Sequence, residues 1–381
     1  VRRSRVTTLA AVALTGALAL AGCAKDTGGG STPPAGGNQA ESCKKNPVPT
    51  GGSGSAAGST SAGPKVDASA LKVGLAYDIG GRGDASFNDS AAAGLDKAKA
   101  DMGLKETKEL TAAPNEPEDA KQSRLRQLAQ EGFNPIIAVG FAYAKSVEAV
   151  ATQFPNTKFA VVDDDTVKLP NVTGLVFAEE QGSFLVGVAA VYKSKNCHVG
   201  FVGGVNVPLI QKFQAGFEQG VKAASNDAKI EAEYITPAGD FTGFQDPAKG
   251  NVVAAGEISR GADVIYQAAG ASGKGVFEAA KSKNALAIGV DSDQYNQKTV
   301  ENSRDVIITS MLKRVDVAVY DYVRAVAGNT LASLPKRFDL KADGVGYATS
   351  GGKIDDIKAT LDAYKQQIID GKITVSDKPS N

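Results

Sequence analysis

From Leu71 onward, short β-rich apolar runs alternate with longer stretches of helical periodicity. No other feature constrains the fold of this chain as strongly. Strands are predicted over 72–77, 135–139, 158–162, 172–177, 198–202, 230–235, 263–267, 286–290 and 306–309, and helices over 88–102, 118–131, 144–153, 181–193, 209–224, 247–260, 275–283 and 313–327. The stretch 209–224 shows the basis. Ile210, Phe213, Phe217 and Val221 recur three and four apart, one apolar face of a helix, and Pro208 sits where a first-turn proline is tolerated. Strands alternating with helices build parallel sheets covered on both faces. The runs Lys72-Val73-Gly74-Leu75-Ala76-Tyr77 and His198-Val199-Gly200-Phe201-Val202-Gly203 echo one another, so two similar α/β lobes are expected, starting near residues 70 and 182. Ligands of doubly wound sheets sit beyond the carboxyl ends of the strands, which directs attention to the cleft between the lobes.

The amino-terminal segment has a different character. Arg2, Arg3 and Arg5 precede an apolar run over 9–20, and Leu20-Ala21-Gly22-Cys23 follows. A positive region, a short apolar core and small residues form a secretory signal. The run is too short and alanine-rich for a bilayer core, which takes ~20 strongly apolar residues. Leu-Ala-Gly-Cys resembles a bacterial lipobox, so residues 1–22 are expected to be a cleaved signal and Cys23 to be lipidated. Val1 is read as a GTG start codon. Residues 23–69, rich in Gly, Ser, Pro, Thr and Ala, cannot bury enough surface to offset ordering entropy and are expected to form a flexible linker. Cys43 and Cys197 lie in an oxidising exterior where pairing is permitted. A disulfide between them is expected; the alternative is two unpaired thiols.

Lys+Arg and Asp+Glu both total 42, and no basic stripe suggests a nucleic-acid partner. His198 is the single histidine, so no histidine cluster exists for zinc or for a catalytic triad. Gly273-Lys274 lacks the flanking residues of a phosphate loop, and Gly81-Arg82-Gly83 lacks the third glycine of a dinucleotide fingerprint. Asp163-Asp164-Asp165 follows a predicted strand and is read as a solvated loop. No cofactor is expected.

The residues just past the strands carry the chemistry. The first strand ends at Asp78 and leads through Gly80, Gly81 and Gly83 to Ser86-Phe87-Asn88, where Ser86 or Asn88 can cap the next helix. Others end at Gly270, at Asp291 and at Lys313, while Phe241 and Phe244 follow the strand over 230–235. Brought to one cleft, these residues supply carboxylates, an amide, a cation, close backbone and aromatic rings. Such a set suits a flat, neutral, hydroxyl-bearing ligand: carboxylates accept from hydroxyls, Asn reads a heterocycle edge and phenyl faces sandwich a ring.

At these same residues the chain resembles the basic membrane lipoprotein family, the purine-nucleoside receptors of bacterial ABC importers. The resemblance runs through 78–88, through Gly203-Gly204 to Phe217, and through Phe244-Gln245-Asp246-Pro247-Ala248-Lys249-Gly250. It continues through 262–270, Gly289-Val290-Asp291-Ser292-Asp293-Gln294 and 309–316. It implies a type I periplasmic-binding-protein fold, α/β, with two doubly wound parallel-sheet lobes joined by a three-crossing hinge. Residues 70–181 plus 291–325 would form the N-terminal lobe and 182–290 plus 326–375 the C-terminal lobe. It also implies that Asp78 and Asn88 read polar groups of the nucleoside, and that Phe87 and Phe244 stack on the purine from opposite lobes. Phe244 is preferred to Phe241 because it precedes Asp-Pro at the family spacing. Asp291 and Lys313 would address ribose hydroxyls, and Gly270 would allow close backbone approach. The implied activity is binding without catalysis: a monomeric, lipid-anchored extracytoplasmic receptor takes adenosine, guanosine or inosine and passes it to an ABC permease. A same-fold receptor for a sugar or signalling molecule and a nucleoside hydrolase are the rival readings.

Overall fold

The strand–helix alternation folds into two separate sheets. The computed structural model describes residues 43–50 and 66–380; the expected signal over 1–22 and the expected lipid site Cys23 lie outside the described residues. The first sheet has the order β2-β1-β3-β4-β5. It contains β1 (Lys72–Tyr77), β2 (Glu106–Thr111), β3 (Ile136–Ala138), β4 (Phe159–Val162) and β5 (Val172–Leu175), all parallel. Helices α1 (Phe87–Met102), α2 (Glu118–Gln130) and α3 (Ala144–Ala151) connect them. β3 and β4 are buried throughout, as parallel strands covered on both faces must be.

The chain then enters the second lobe through α4 (Glu179–Lys193). It continues as β6 (His198–Val205), α5 (Pro208–Ala224), β7 (Lys229–Thr236), α6 (Pro247–Ser259), β8 (Val264–Ala268), α7 (Gly273–Ser282), β9 (Leu286–Asp291) and β10 (Ile307–Lys313). After α8 (Val315–Ala327) come β11 (Val345–Tyr347) and α9 (Lys358–Ile369). The sheet order is β11-β10-β9-β8-β6-β7, with only β11 antiparallel to its neighbour. α4 is buried almost all round, and its tight seat on α5 depends on glycine. A Cβ at Gly187, Gly216 or Gly220 would overlap a backbone carbonyl of the facing helix.

Among the described residues the chain crosses between the lobes three times. Residues 176–178 carry it into the second lobe. It returns at Arg314 to place α8 against α1, and comes back before β11. The crossings are bonded together: Phe338 N donates to Val176 O at 2.8 Å, Ala178 N to Phe338 O at 3.0 Å and Arg314 N to Gly344 O at 2.9 Å. The return to the first lobe expected at 291 therefore comes later, because β10 pairs with β9 through Leu312. Lys313 ends β10 and does not open the predicted helix over 313–327. Three elements were absent from the sequence expectation. β2 (ETKELT) is a polar edge strand, β11 has three residues, and α9 lies in a stretch read without an assignment.

The expected linker over 23–69 is docked where it is described. Cys43 forms a disulfide with Cys197. Asn46 N donates to Ala224 O at 2.8 Å, and Lys45 Nζ to Val191 O at 3.1 Å. Among the described residues no helix is long and apolar enough to cross a membrane.

Candidate binding cleft

The loop between β1 and α1 is built by two carboxylates. Asp84 accepts from the backbone N–H groups of Ser86, Asn88 and Asp89 at 2.9, 2.8 and 3.1 Å, and from Asn88 Nδ2 at 3.0 Å. Asp89 accepts from Gly83 N and Ala85 N at 2.7 and 2.9 Å. Asp84 thus caps α1, where Ser86 or Asn88 was expected to. The exchange frees Ser86 Oγ, which donates to Asp291 Oδ2 at 2.6 Å. It also leaves Asn88 Oδ1 buried with no hydrogen-bond partner among the described residues. Arg82 turns outward to Glu109 and Asp96 and stays clear of the cleft.

On the opposite wall, a short 3-10 turn over Phe241–Phe244 follows β7. Asp240 fixes the turn by accepting from Thr242 N and Oγ1 at 3.1 and 2.6 Å. Phe244 lies so close to Gly204 that a side chain there would collide with its ring. Gly270, with φ of 56°, turns the chain after β8 against the Phe244 carbonyl. Asp291 ends β9 with φ of 62°, a left-handed conformation uncommon outside glycine.

These walls line one cavity between the two lobes. Asp78, Phe87 and Asn88 line it from the first lobe, Phe244, Gly270 and Asp291 from the second, and Lys313 from the crossing. All seven residues singled out from sequence meet there. Phe241 does not line it; its ring packs on Phe141 with centroids 5.9 Å apart. Phe213, Phe141 and Ile210 add apolar wall.

Asp163 is a residue that sequence reasoning missed. The acidic triplet was read as a solvated loop, yet the Asp163 side chain is only 4% exposed and Lys313 Nζ donates to its Oδ2 at 2.6 Å. Its φ is 69°, and its Oδ1 has no hydrogen-bond partner among the described residues. Its place just past β4, equivalent to that of Asp78 past β1, was the available signal. Glu179 was missed as well, because its position opening α4 at a crossing is a tertiary fact.

Electrostatically the cleft is crowded with acids. Burial works against the charge of Lys313, but Asp163, Asp291 and Glu179 more than offset it and hold the ammonium above its usual range. The ammonium also lies over the rings of Phe87, Phe177 and Phe213, at 4.7, 5.3 and 5.6 Å from their centroids. Burial pushes Asp78 and Asp84 up to about 6 and Glu179 up to about 7, and raises Asp291 against the pull of Lys313 and Ser86. The site thus combines strong acceptors, the Lys313 cation and aromatic faces, a set that can bind a polar ring.

Comparison with known proteins agrees with this architecture. The model of the Bmp family, described as ABC transporter substrate-binding protein PnrA-like, matches residues 70–378. The chain is 37% identical over 321 residues to the CD4+ T-cell-stimulating antigen of Listeria monocytogenes, covering 81% of this chain and 88% of that one. It is 32% identical to the ABC transporter nucleoside-binding protein BmpA of Lactococcus lactis, covering 81% and 90%. An uncharacterized lipoprotein of Pyrococcus abyssi is 35% identical, covering 74% and 70%. Among solved structures, an ABC transporter solute-binding protein of Aeropyrum pernix superposes with a TM-score of 0.69 at 26% identity, covering 82% of this chain and 94% of that one. With a family model spanning the whole two-lobed body and relatives above 30% identity, the chain belongs to the Bmp family of PnrA-like ABC-transporter substrate-binding proteins.

Proposed function

We propose that the cleft binds a purine nucleoside (adenosine, guanosine or inosine) and that the protein delivers it to an ABC permease. The observation that carries this reading is the pairing of phenyl rings from opposite lobes, Phe87 and Phe244, around one cavity that also holds two buried acceptors, Asn88 Oδ1 and Asp163 Oδ1, that have no partner among the described residues. Aromatic faces favour a flat base, with stacking worth ~1–3 kcal/mol per base, and buried acceptors require donors such as ring N–H, amino or hydroxyl groups. The name of the Lactococcus lactis relative points to the same ligand class. Asp78 and Asn88 would read the base edge, and Asp291 and Lys313 the ribose. Binding is the whole activity in this reading, and ligand contacts made by both lobes would draw them together. Cys23, lipidated after signal cleavage, would anchor the receptor outside the cell as a monomer.

Native mass spectrometry of the protein from its source, followed by calorimetry with nucleosides, sugars and amino acids, tests the assignment. A co-purifying purine nucleoside that rebinds is the expected result. Binding of a sugar with no response to any nucleoside would overturn it, and release of free base from guanosine would overturn the non-catalytic part.

A further inference from the structure

Four hydrogen bonds from the second lobe or to it converge on Ala85 and Ser86, in the first-lobe loop that presents Phe87 and Asn88; the longest, from Ser86 Oγ to Val290 O, spans 3.4 Å. Gln294 Nε2 donates to Ala85 O at 2.9 Å, Ser292 Oγ donates to Ser86 O at 2.8 Å, and Ser86 Oγ donates to Asp291 Oδ2 at 2.6 Å. Gln294 is itself held firmly. Its Oε1 accepts from Gln267 Nε2 at 2.7 Å and from Val290 N at 2.9 Å, while its backbone N–H bonds to Ser310 Oγ at 3.1 Å. Gln267 near the end of β8, Val290 near the end of β9 and Ser310 midway along β10 are thereby gathered on one buried residue. The facing loop is equally rigid, because Asp84 and Asp89 satisfy its backbone N–H groups. Ala85 and Asp291, one on each side of the contact, hold φ of 58° and 62°. Non-glycine residues keep such conformations where surrounding contacts over-determine them.

We propose that Ser292 and Gln294 are positioning residues that clamp the first-lobe loop 84–88 to the turn after β9, so that the lobes hold one another directly and the clamp sets how long a ligand stays. The bonds to Ala85 O and Ser86 O join different lobes, so they favour the shut cleft with or without a ligand, and a contact that is stronger in one state biases the equilibrium toward it. Differences among closely related complexes fall mostly on the dissociation rate. The ligand part of this inference rests on the nucleoside reading; the clamp does not.

Ser292 is half-buried, so its hydroxyl can be removed with little risk to the fold. Ser292→Ala should release guanosine about fivefold faster, the loss of roughly one net hydrogen bond, with its unfolding temperature unchanged. In the ligand-free protein, amides over 83–89 should exchange hydrogen faster than in the wild type. Ser292→Thr, which keeps the hydroxyl, should restore both rates. Unchanged exchange in Ser292→Ala, or a threonine variant as fast as the alanine one, would overturn the clamp. If the wild type binds no nucleoside, the nucleoside reading fails and amide exchange in the free protein still decides the clamp.

Discussion

Lys313 Nζ donates to Asp163 Oδ2 at 2.6 Å, joining the end of β10 in the second lobe to the end of β4 in the first. Both side chains are almost fully buried. Removing one member of a buried pair costs more than the pair itself contributes, because the other charge stays desolvated. Lys313→Met strands Asp163, Asp291 and Glu179 without their shared cation. Its unfolding free energy in urea should fall by ~3–5 kcal/mol. The deficit should narrow at lower pH, where these buried carboxyls hold protons. A variant as stable as the wild type at neutral pH would show that the pair contributes nothing.

Phe87 and Phe244 line the cavity and Phe241 does not. Calorimetry should therefore separate three alanine variants. Phe87→Ala and Phe244→Ala should each weaken nucleoside binding by ~1–3 kcal/mol, while Phe241→Ala leaves it within a small factor. Equal losses at all three positions would mean that the rings act through general packing.

Glu257, buried on α6 beneath β7, offers a test of pH dependence outside the cleft. Burial pushes its carboxyl up to about 9 from an ordinary 4.5, helped by Glu233 and Glu231 and opposed by Arg260. Between those values the folded chain keeps a proton that the unfolded chain has released. Its contribution to stability is thus full below 4.5 and is lost as pH rises through about 9. Glu257→Gln, neutral throughout, should melt above the wild type at about pH 8, and the gap should shrink toward about pH 5. A gap independent of pH would refute a protonated Glu257.

The Cys43–Cys197 disulfide closes a span of 154 residues and ties the segment 43–50 to the second lobe. Replacing both cysteines with serine should lower stability by ~2–4 kcal/mol. It should also open this segment to limited proteolysis, since the hydrogen bonds of Lys45 and Asn46 then hold it without a covalent tie. Resistance equal to the wild type would mean that non-covalent contacts alone keep it docked.

Much of the cleft was legible because parallel-sheet topology sends the residues after each strand to one edge. Asp78, Gly270, Asp291 and Lys313 were found by that rule, and Phe87 and Asn88 by their place at the head of the next helix. The same rule applied to Asp163 would have found it, but three consecutive acids read as solvated in isolation. Whether such a residue turns in or out depends on a counter-charge that is 150 residues away in the chain. β2 escaped because an edge strand buried on few sides has no need of an apolar run.

Hydrophobic periodicity by itself determined the two α/β lobes, since each strand and helix must bury a face whose spacing is written locally. It also determined which residues stand at the strand ends. Only the tertiary structure decided that the chain leaves the second lobe after Lys313, that Asp163 and not solvent neutralises that lysine, and that Asp84 caps α1 so that Ser86 can reach Asp291. Those outcomes depend on which of several competing partners comes within hydrogen-bond distance, and that distance is set by how the two sheets are hinged rather than by the order of the residues.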